Sequence, residues 1–182
     1  SIDMAGNTEE CKEIVISIDK TAPTYCLSVN QAIYGDSMSF EDYRVISFNL
    51  SALDSASGVN KAELTIDGVP YVNDSEIDLA GMTGTHYINV LVTDNAGNSM
   101  EEAKTFTVTT STESMTRIID RYLDNGMLDG PFANAMKQKL VQAQDHYAKG
   151  HIKQAIKHME QFISFIDKSS HKGWIPEEGE AV

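Results

Sequence analysis

The sequence is short of positive charge. Its 182 residues hold 14 Lys and Arg against 27 Asp and Glu, a net charge of −13. The deficit is uneven: residues 1–112 carry 17 acids and 5 bases, whereas residues 113–182 carry 10 acids and 9 bases. A phosphate backbone needs clustered Lys and Arg, so nucleic acid is excluded as a partner. Cysteine is scarce too. Cys11 and Cys26 are too few for a disulfide scaffold, and they lack the CxxC spacing and neighbouring His cluster of a structural zinc site. A single bridge between them stays open in an exported protein. Long apolar runs are absent, and no stretch approaches the ~20 residues that cross a bilayer, so no membrane span is expected. Catalytic signatures are missing as well: there is no Gly-x-Ser-x-Gly elbow, no His-Glu-x-x-His and no glycine-rich phosphate loop. The acidic pairs Glu9/Glu10, Glu41/Asp42 and Glu101/Glu102 are adjacent in sequence, so on a strand they point to opposite faces and cannot address one substrate. They read as solvated turns or edges, and no catalytic residue is assigned.

What is present suffices for a core, since 41% of the residues are apolar. The apolar spacing changes from two to three-and-four near residue 113. Ile46, Phe48, Leu50 and Ala52 alternate with polar residues, as do Ala62, Leu64 and Ile66, then Ile77 and Leu79, then Ile88, Val90 and Val92, then Phe106 and Val108. Each set predicts a strand with one face in a core and one in water. With Thr24–Val29 as a first strand, six or seven strands result, and Asp67-Gly68 marks one turn between them. Beyond residue 113, Met115, Ile118, Ile119, Tyr122 and Leu123 form a helical stripe ended by Asn125-Gly126. Phe132, Met136, Leu140, Ala143 and Tyr147 form a second, opened by Pro131 and closed by Gly150. Ile152, Ala155, Ile156, Met159, Ile163 and Ile166 form a third, and Trp174-Ile175-Pro176 reads as entry to a fourth helix, its tryptophan covering the helical core. The expected fold class is β then α: an antiparallel β-sandwich followed by a small three- to four-helix bundle.

An internal repeat refines the organisation. Asp3-Met4-Ala5-Gly6-Asn7 recurs as Asp94-Asn95-Ala96-Gly97-Asn98, each followed by an acidic stretch and an alternating strand, with Ile14, Ile16 and Ile18 in the first copy. Residues 1–19 therefore read as the last hairpin of a preceding, truncated repeat, 20–110 as a complete β-sandwich and 113–182 as a helical module, with a short hinge at 109–113. The opening Ser1-Ile2-Asp3 reads as the middle of a longer chain whose export signal lies upstream.

The series Thr-Ala-Pro-Thr at 21–24, Leu-Asp-Ser-Ala-Ser-Gly-Val at 53–59, Ile-Asp-Gly-Val at 66–69 and Thr-Asp-Asn-Ala-Gly-Asn at 93–98 resembles tandem bacterial Ig-like repeats. The segments Leu-Asp-Asn-Gly-Met-Leu at 123–128, Ala-Met-Lys-Gln-Lys-Leu at 135–140, Tyr-Ala-Lys-Gly-His-Ile-Lys-Gln-Ala-Ile at 147–156 and Met-Glu-Gln-Phe-Ile at 159–163 resemble the FIMAH module. Such repeats and modules accompany secreted bacterial polysaccharide-degrading enzymes and surface proteins. The resemblance implies an extracellular, non-catalytic accessory region: an Ig-like spacer presenting a helical interaction module. Its partners would be neighbouring domains of the same polypeptide, and a polysaccharide or a cell-surface protein. The alternative is a carbohydrate-binding module, for which Tyr34, Tyr71 and Tyr87 are the candidate stacking rings, with His86 and Asn89 beside the last.

Two cation readings follow from the residues. His151 and His158, seven apart, share a helix face, but a transition-metal site wants i, i+4 spacing or a third ligand, so a polar face is the better reading. Calcium is the sharper case. In such a sandwich the loops that carry Asp54 and Asp94 lie at one end, where the incoming linker brings Asp19. Asn98 and backbone carbonyls would add oxygens toward the six to eight that calcium takes. The competing reading is that these aspartates cap their own turns through backbone N–H groups. No motif requires a cofactor.

Overall fold

A computed structural model describes residues 4–8, 16–35 and 37–170. Ten strands precede three helices. Strands β1 (Thr24–Val29), β2 (Ala32–Ile33) and β5 (Phe48–Leu53) form one sheet in the order β2-β1-β5. Strands β3 (Ser37–Glu41), β6 (Val59–Ile66), β7 (Val69–Pro70), β9 (Gly84–Asp94) and β10 (Ser99–Thr109) form a second, in the order β3-β10-β9-β6-β7. A small pair, β4 (Val45–Ile46) with β8 (Ile77–Asp78), closes one side. The alternating residues pair on neighbouring strands as their spacing predicts: Leu27 lies beside Leu50 and Val29 beside Phe48 in one sheet, Leu64 beside Val90 and Ile66 beside Ile88 in the other. Phe48, Phe106, Ile88, Val90 and Val92 are fully buried, and the Phe48 and Phe106 rings contact one another at the centre of the core.

Several elements are not announced by alternation. Asn30 and Gln31 both take positive φ, 47° and 68°, and so close a two-residue hairpin into β2. Strand β3 runs parallel to β10, an exception in an otherwise antiparallel sandwich, with Met38 beside Phe106. Ile46 and Phe48 fall in different sheets because Ser47 between them is bound to the Asn30 turn through both its N–H and its carbonyl. The outer edge of β5 meets side chains: the Asn73 amide accepts from Leu50 N at 2.9 Å and donates to Leu50 O at 2.8 Å, copying a strand's pairing. An edge so occupied offers less backbone to another chain.

Helices α1 (Thr112–Asp124), α2 (Gly130–Ala148) and α3 (Ile152–Ser170) follow, and α1 and α2 open on capping residues. Ser111 caps α1, and Asp129 caps α2 by accepting from Phe132 N at 2.6 Å. Gly126 and Gly150 take φ of +72° and +73° just beyond the helix ends. Ile119, Phe132, Ala133, Met136, Leu140 and Phe162 form the helical core. Two expected stripes are only partly buried. Tyr147 on α2 is exposed, and α3 turns Ala155 and Phe162 inward while Ile152, Ile156 and Ile163 remain exposed. The fourth helix and Trp174 lie outside the described residues. So do Cys11, Glu9, Glu10 and Ile14 of the expected N-terminal hairpin; Ile16 and Ile18 are exposed, and Gly6 takes the positive φ that Gly97 also takes. Cys26 is a free, exposed thiol on β1.

The expected hinge is cross-braced. Asp42, read as solvated, is buried at 5% exposure and accepts a hydrogen bond from the fully buried Ser114 hydroxyl. Ser114 also takes the Ser111 N–H at 3.1 Å, so one hydroxyl ties the first turn of α1 to the turn after β3. Arg121 adds an ion pair to Asp78 at 2.9 Å, and the Arg117 guanidinium lies 4.8 Å from the centre of the Tyr43 ring. Asp42→Ala removes the acceptor of a buried hydroxyl and should cost about 1–3 kcal/mol. Chemical denaturation of the pair of proteins measures it; an unchanged midpoint contradicts the brace.

A second clamp holds the Asp67-Gly68 turn. Asp67 exchanges hydrogen bonds with the Tyr87 backbone, and its Oδ2 lies 2.7 Å from His86 Nδ1. His86 Nε2 lies 2.7 Å from the Met82 carbonyl, and the ring stacks on Phe106. Both ring nitrogens thus face acceptors, which suits the imidazolium. Burial pushes the His86 pKa down, but the hydrogen bonds to Asp67 and Met82 and the Asp67 charge outweigh it, and the pKa rises above its ordinary value. The Asp67 pKa is lowered, chiefly by the His86 hydrogen bond. A raised histidine pKa contributes stability below its unfolded value, about 6.5, and loses it as pH climbs through the folded value. Asp67 contributes above the ordinary carboxylate range and loses it as pH falls through its lowered value. The stability difference between wild type and His86→Gln should therefore be largest between these limits and shrink on raising the pH above about 6.5. Thermal melts of both proteins across that range check it; a constant difference refutes the clamp.

Candidate metal centre

Asp54 and Asp94 begin two tight loops, and their side chains fold those loops. Asp54 Oδ1 accepts from Ala56 N at 3.1 Å and from Ser57 N and Gly58 N at 2.8 Å each. Asp94 Oδ1 accepts from Ala96 N at 2.9 Å and Asn98 N at 2.8 Å. The loops are stitched together, since Asn95 N donates to Gly58 O and Asn95 Nδ2 to Ser57 O. Gly58 takes φ +81°, and a Cβ there would lie 3.3 Å from Asn95 Nδ2, so glycine is required by backbone and neighbour alike. From the linker, Asp19 Oδ1 takes the Thr21 N–H at 2.9 Å and its hydroxyl at 2.6 Å.

These turns aim three carboxylates at one place. Asp19, Asp54 and Asp94 each offer an oxygen, and the three lie within 4.8 Å of one another. Asp94 is 1% exposed. The second oxygen of Asp19 is shut off from solvent and meets no donor among the described residues. The Asp19 carboxyl is held down at about 2, first by the Thr21 hydroxyl and then by its backbone N–H, against the opposing effect of burial. Burial pushes the Asp94 carboxyl up, but the Asn98 side chain, the Asn98 N–H and the Ala96 N–H overcome it and leave the pKa below its ordinary value, with the Asp19 charge opposing. Both acids are thus charged at neutral pH, side by side, where like charges repel.

The structure therefore brings Asp19, Asp54 and Asp94 together, and it also keeps the turn-capping role, because each carboxylate has one oxygen in a turn. Asn98 differs from expectation. Its amide nitrogen, not its oxygen, faces the cluster, donating to Asp94 Oδ2 at 2.7 Å and approaching Asp19 O at 3.5 Å. It clamps the site and does not supply an oxygen. Oxygen donors of this hardness suit calcium over zinc or copper.

The three candidate tyrosines do not gather. Tyr34 is buried against Phe48 with its hydroxyl on Thr105 O. Tyr71 packs edge-on against Phe48, accepts from Phe48 N and donates to Ser75 O. Tyr87 alone of the three is exposed, so no shared stacking platform exists. Alternation could not reveal this, because Tyr34 and Tyr71 lie outside the alternating runs. His146 stacks on His158 with ring centres 4.9 Å apart, and its ring centre lies 5.9 Å from that of His151. Among the described residues the aspartates are the converging ligand group. Glu102 is bound by Tyr25 and Lys104.

Residues 112–182 match the family model of the FIMAH domain. The chain thus carries a β-sandwich followed by a helical region that matches the FIMAH model. No curated protein matches the sequence. Among solved structures it is similar to the fibronectin(III)-like modules of CbhA from Clostridium thermocellum, at 18% identity and TM-score 0.37, over 53% of this chain and 50% of that one. The match thus spans half the length of that structure. Among the described residues no helix is long and apolar enough to cross a membrane.

Gly58→Ala should destabilise the protein by about 1–2 kcal/mol, the cost of a Cβ in left-handed backbone. Its effect should exceed that of Gly68→Ala, where a Cβ meets open space at nearly the same φ of +80°. Equal losses on denaturant unfolding would show that Asn95 gives way freely.

Proposed function

We propose that this chain is a non-catalytic accessory region of a larger exported bacterial protein, and that calcium at Asp19, Asp54 and Asp94 sets its stiffness. The Ig-like sandwich serves as spacer and the FIMAH module as the interacting end. The parent protein would act on polysaccharide, outside the cell or at its surface, as the resemblance to such modules implies.

The observation that carries the calcium reading is the meeting of three carboxylates from a linker and two loops, one oxygen of which is buried without a donor. Without a cation their repulsion strains the linker against the sandwich. With one, the charges are neutralised and the linker is fixed at Asp19, in line with β1. Three carboxylates supply part of the six to eight oxygens that calcium takes, and water or carbonyl oxygens complete the shell. Extracellular modules bind in the ~10⁻⁴–10⁻³ M range. Ligand at about 100 times Kd would add about 2.7 kcal/mol, and millimolar calcium correspondingly less.

Calorimetric melts in chelator and in calcium of about 10 mM, ten times the weak end of that range, test the site. The melting temperature should rise by a few degrees in wild type and stay unmoved in Asp54→Ala and Asp94→Ala. Identical melts of the wild type in both conditions would reduce the three acids to turn caps.

A further inference from the structure

The third helical stripe is the sequence pattern that neither the core nor the calcium reading absorbs. On α3, Ile152, Ile156 and Ile163 are 48%, 54% and 62% exposed. With Met159 they fall at spacings of 4, 3 and 4, the a/d seam of paired helices, over about three turns or ~16 Å. The stripe does not lie flat on the surface. It forms one wall of an open groove of about 940 Å³, whose far side is the Thr110–Glu113 connection and whose floor includes Ala143 and Tyr147. Tyr147 is itself exposed. An apolar seam of this extent, exposed among the described residues, marks an interaction surface.

Charge selects the occupant. The ionisable residues lining the groove are Glu41, Glu113 and Glu160, with no Lys or Arg among them. The residue that borders the seam at its other end is Lys153, and neither Lys153 nor Glu160 is in an ion pair among the described residues. We propose that the groove is filled by α3 of a second copy of this chain, running antiparallel. Centring the pair between Ile156 and Met159 sets Ile152 against Ile163 of the second copy, and Ile156 against Met159. The same register brings Lys153 to within a helical turn of Glu160 of the second copy, and the two-fold axis makes each contact twice. The seam is short of the ~800 Å² per partner of a standard stable interface, so the dimer is weak and concentration-dependent. It would join two spacers back to back through their FIMAH modules, doubling the number of presented ends.

Sedimentation equilibrium of the full 182-residue chain, from micromolar to millimolar, tests this. The expected mass climbs from 20.0 kDa toward twice that value, equally in chelator and in calcium, which separates the outcome from that of the metal site. Ile156→Lys and Ile163→Lys, both at exposed positions, should keep the wild-type melting temperature and weaken association about tenfold or more. Lys153→Glu and Glu160→Lys should each weaken it, and the double exchange should restore it. A chain monomeric at millimolar concentration overturns the proposal. So does a dimer indifferent to the isoleucine substitutions, or a double exchange that fails to rescue.

Discussion

A carboxylate can be buried only if donors meet it, and this sandwich buries two, one at each end. Asp94 is met by the Ala96 and Asn98 N–H groups and by the Asn98 amide. Asp42 is met by the Ser114 hydroxyl. An unmatched charge in either place would cost several kcal/mol, so each demand for donors organises its surroundings. At one end it winds a loop that brings Asp94 to Asp19 and Asp54. At the other it recruits the first turn of α1 and joins the helical module to the sheet.

Strand β10 connects the two ends. It begins beside the Asp94 loop and finishes at Thr109, whose carbonyl accepts from Asp42 N. Eleven residues at ~3.3 Å each separate the joints by roughly 33 Å. Between them lies a dry aromatic and aliphatic core that resists bending, since packed interiors deform little. The joint to the FIMAH module is closed by hydrogen bonds and an ion pair already in place. The linker joint carries a buried carboxylate oxygen that meets no donor among the described residues.

The candidate site was legible to an unusual degree, and for a local reason. Asp54 and Asp94 stand at the heads of glycine-containing loops, so their turn geometry is written in consecutive residues, and a two-layer sandwich leaves few places for such loops to go. Asn98 was legible as a neighbour but not in its role, because which end of an amide faces the cluster depends on the donors and acceptors around it. Asp42 was misread as solvated. Nothing near it in sequence announces Ser114, which is 72 residues away. Tyr34 and Tyr71 were misread as surface rings because their hydroxyl partners, Thr105 and Ser75 with Phe48, are supplied by the fold.

Whatever depends on neighbours within a few residues was determined by the sequence alone: the alternating strands, the helix caps at Ser111 and Asp129, the stops at Gly126 and Gly150, and the aspartate turns. Period and capping act over one turn or one strand, where chain connectivity already fixes the partners. Tertiary structure alone decided which apolar positions are core. Ile156 and Phe162 are both apolar and share α3, yet only Phe162 is buried in the cluster that α1 and α2 complete. Helices α1 and α2 complete the core on one side of α3, and among the described residues Ile152, Ile156 and Ile163 on the rest of its apolar surface stay exposed.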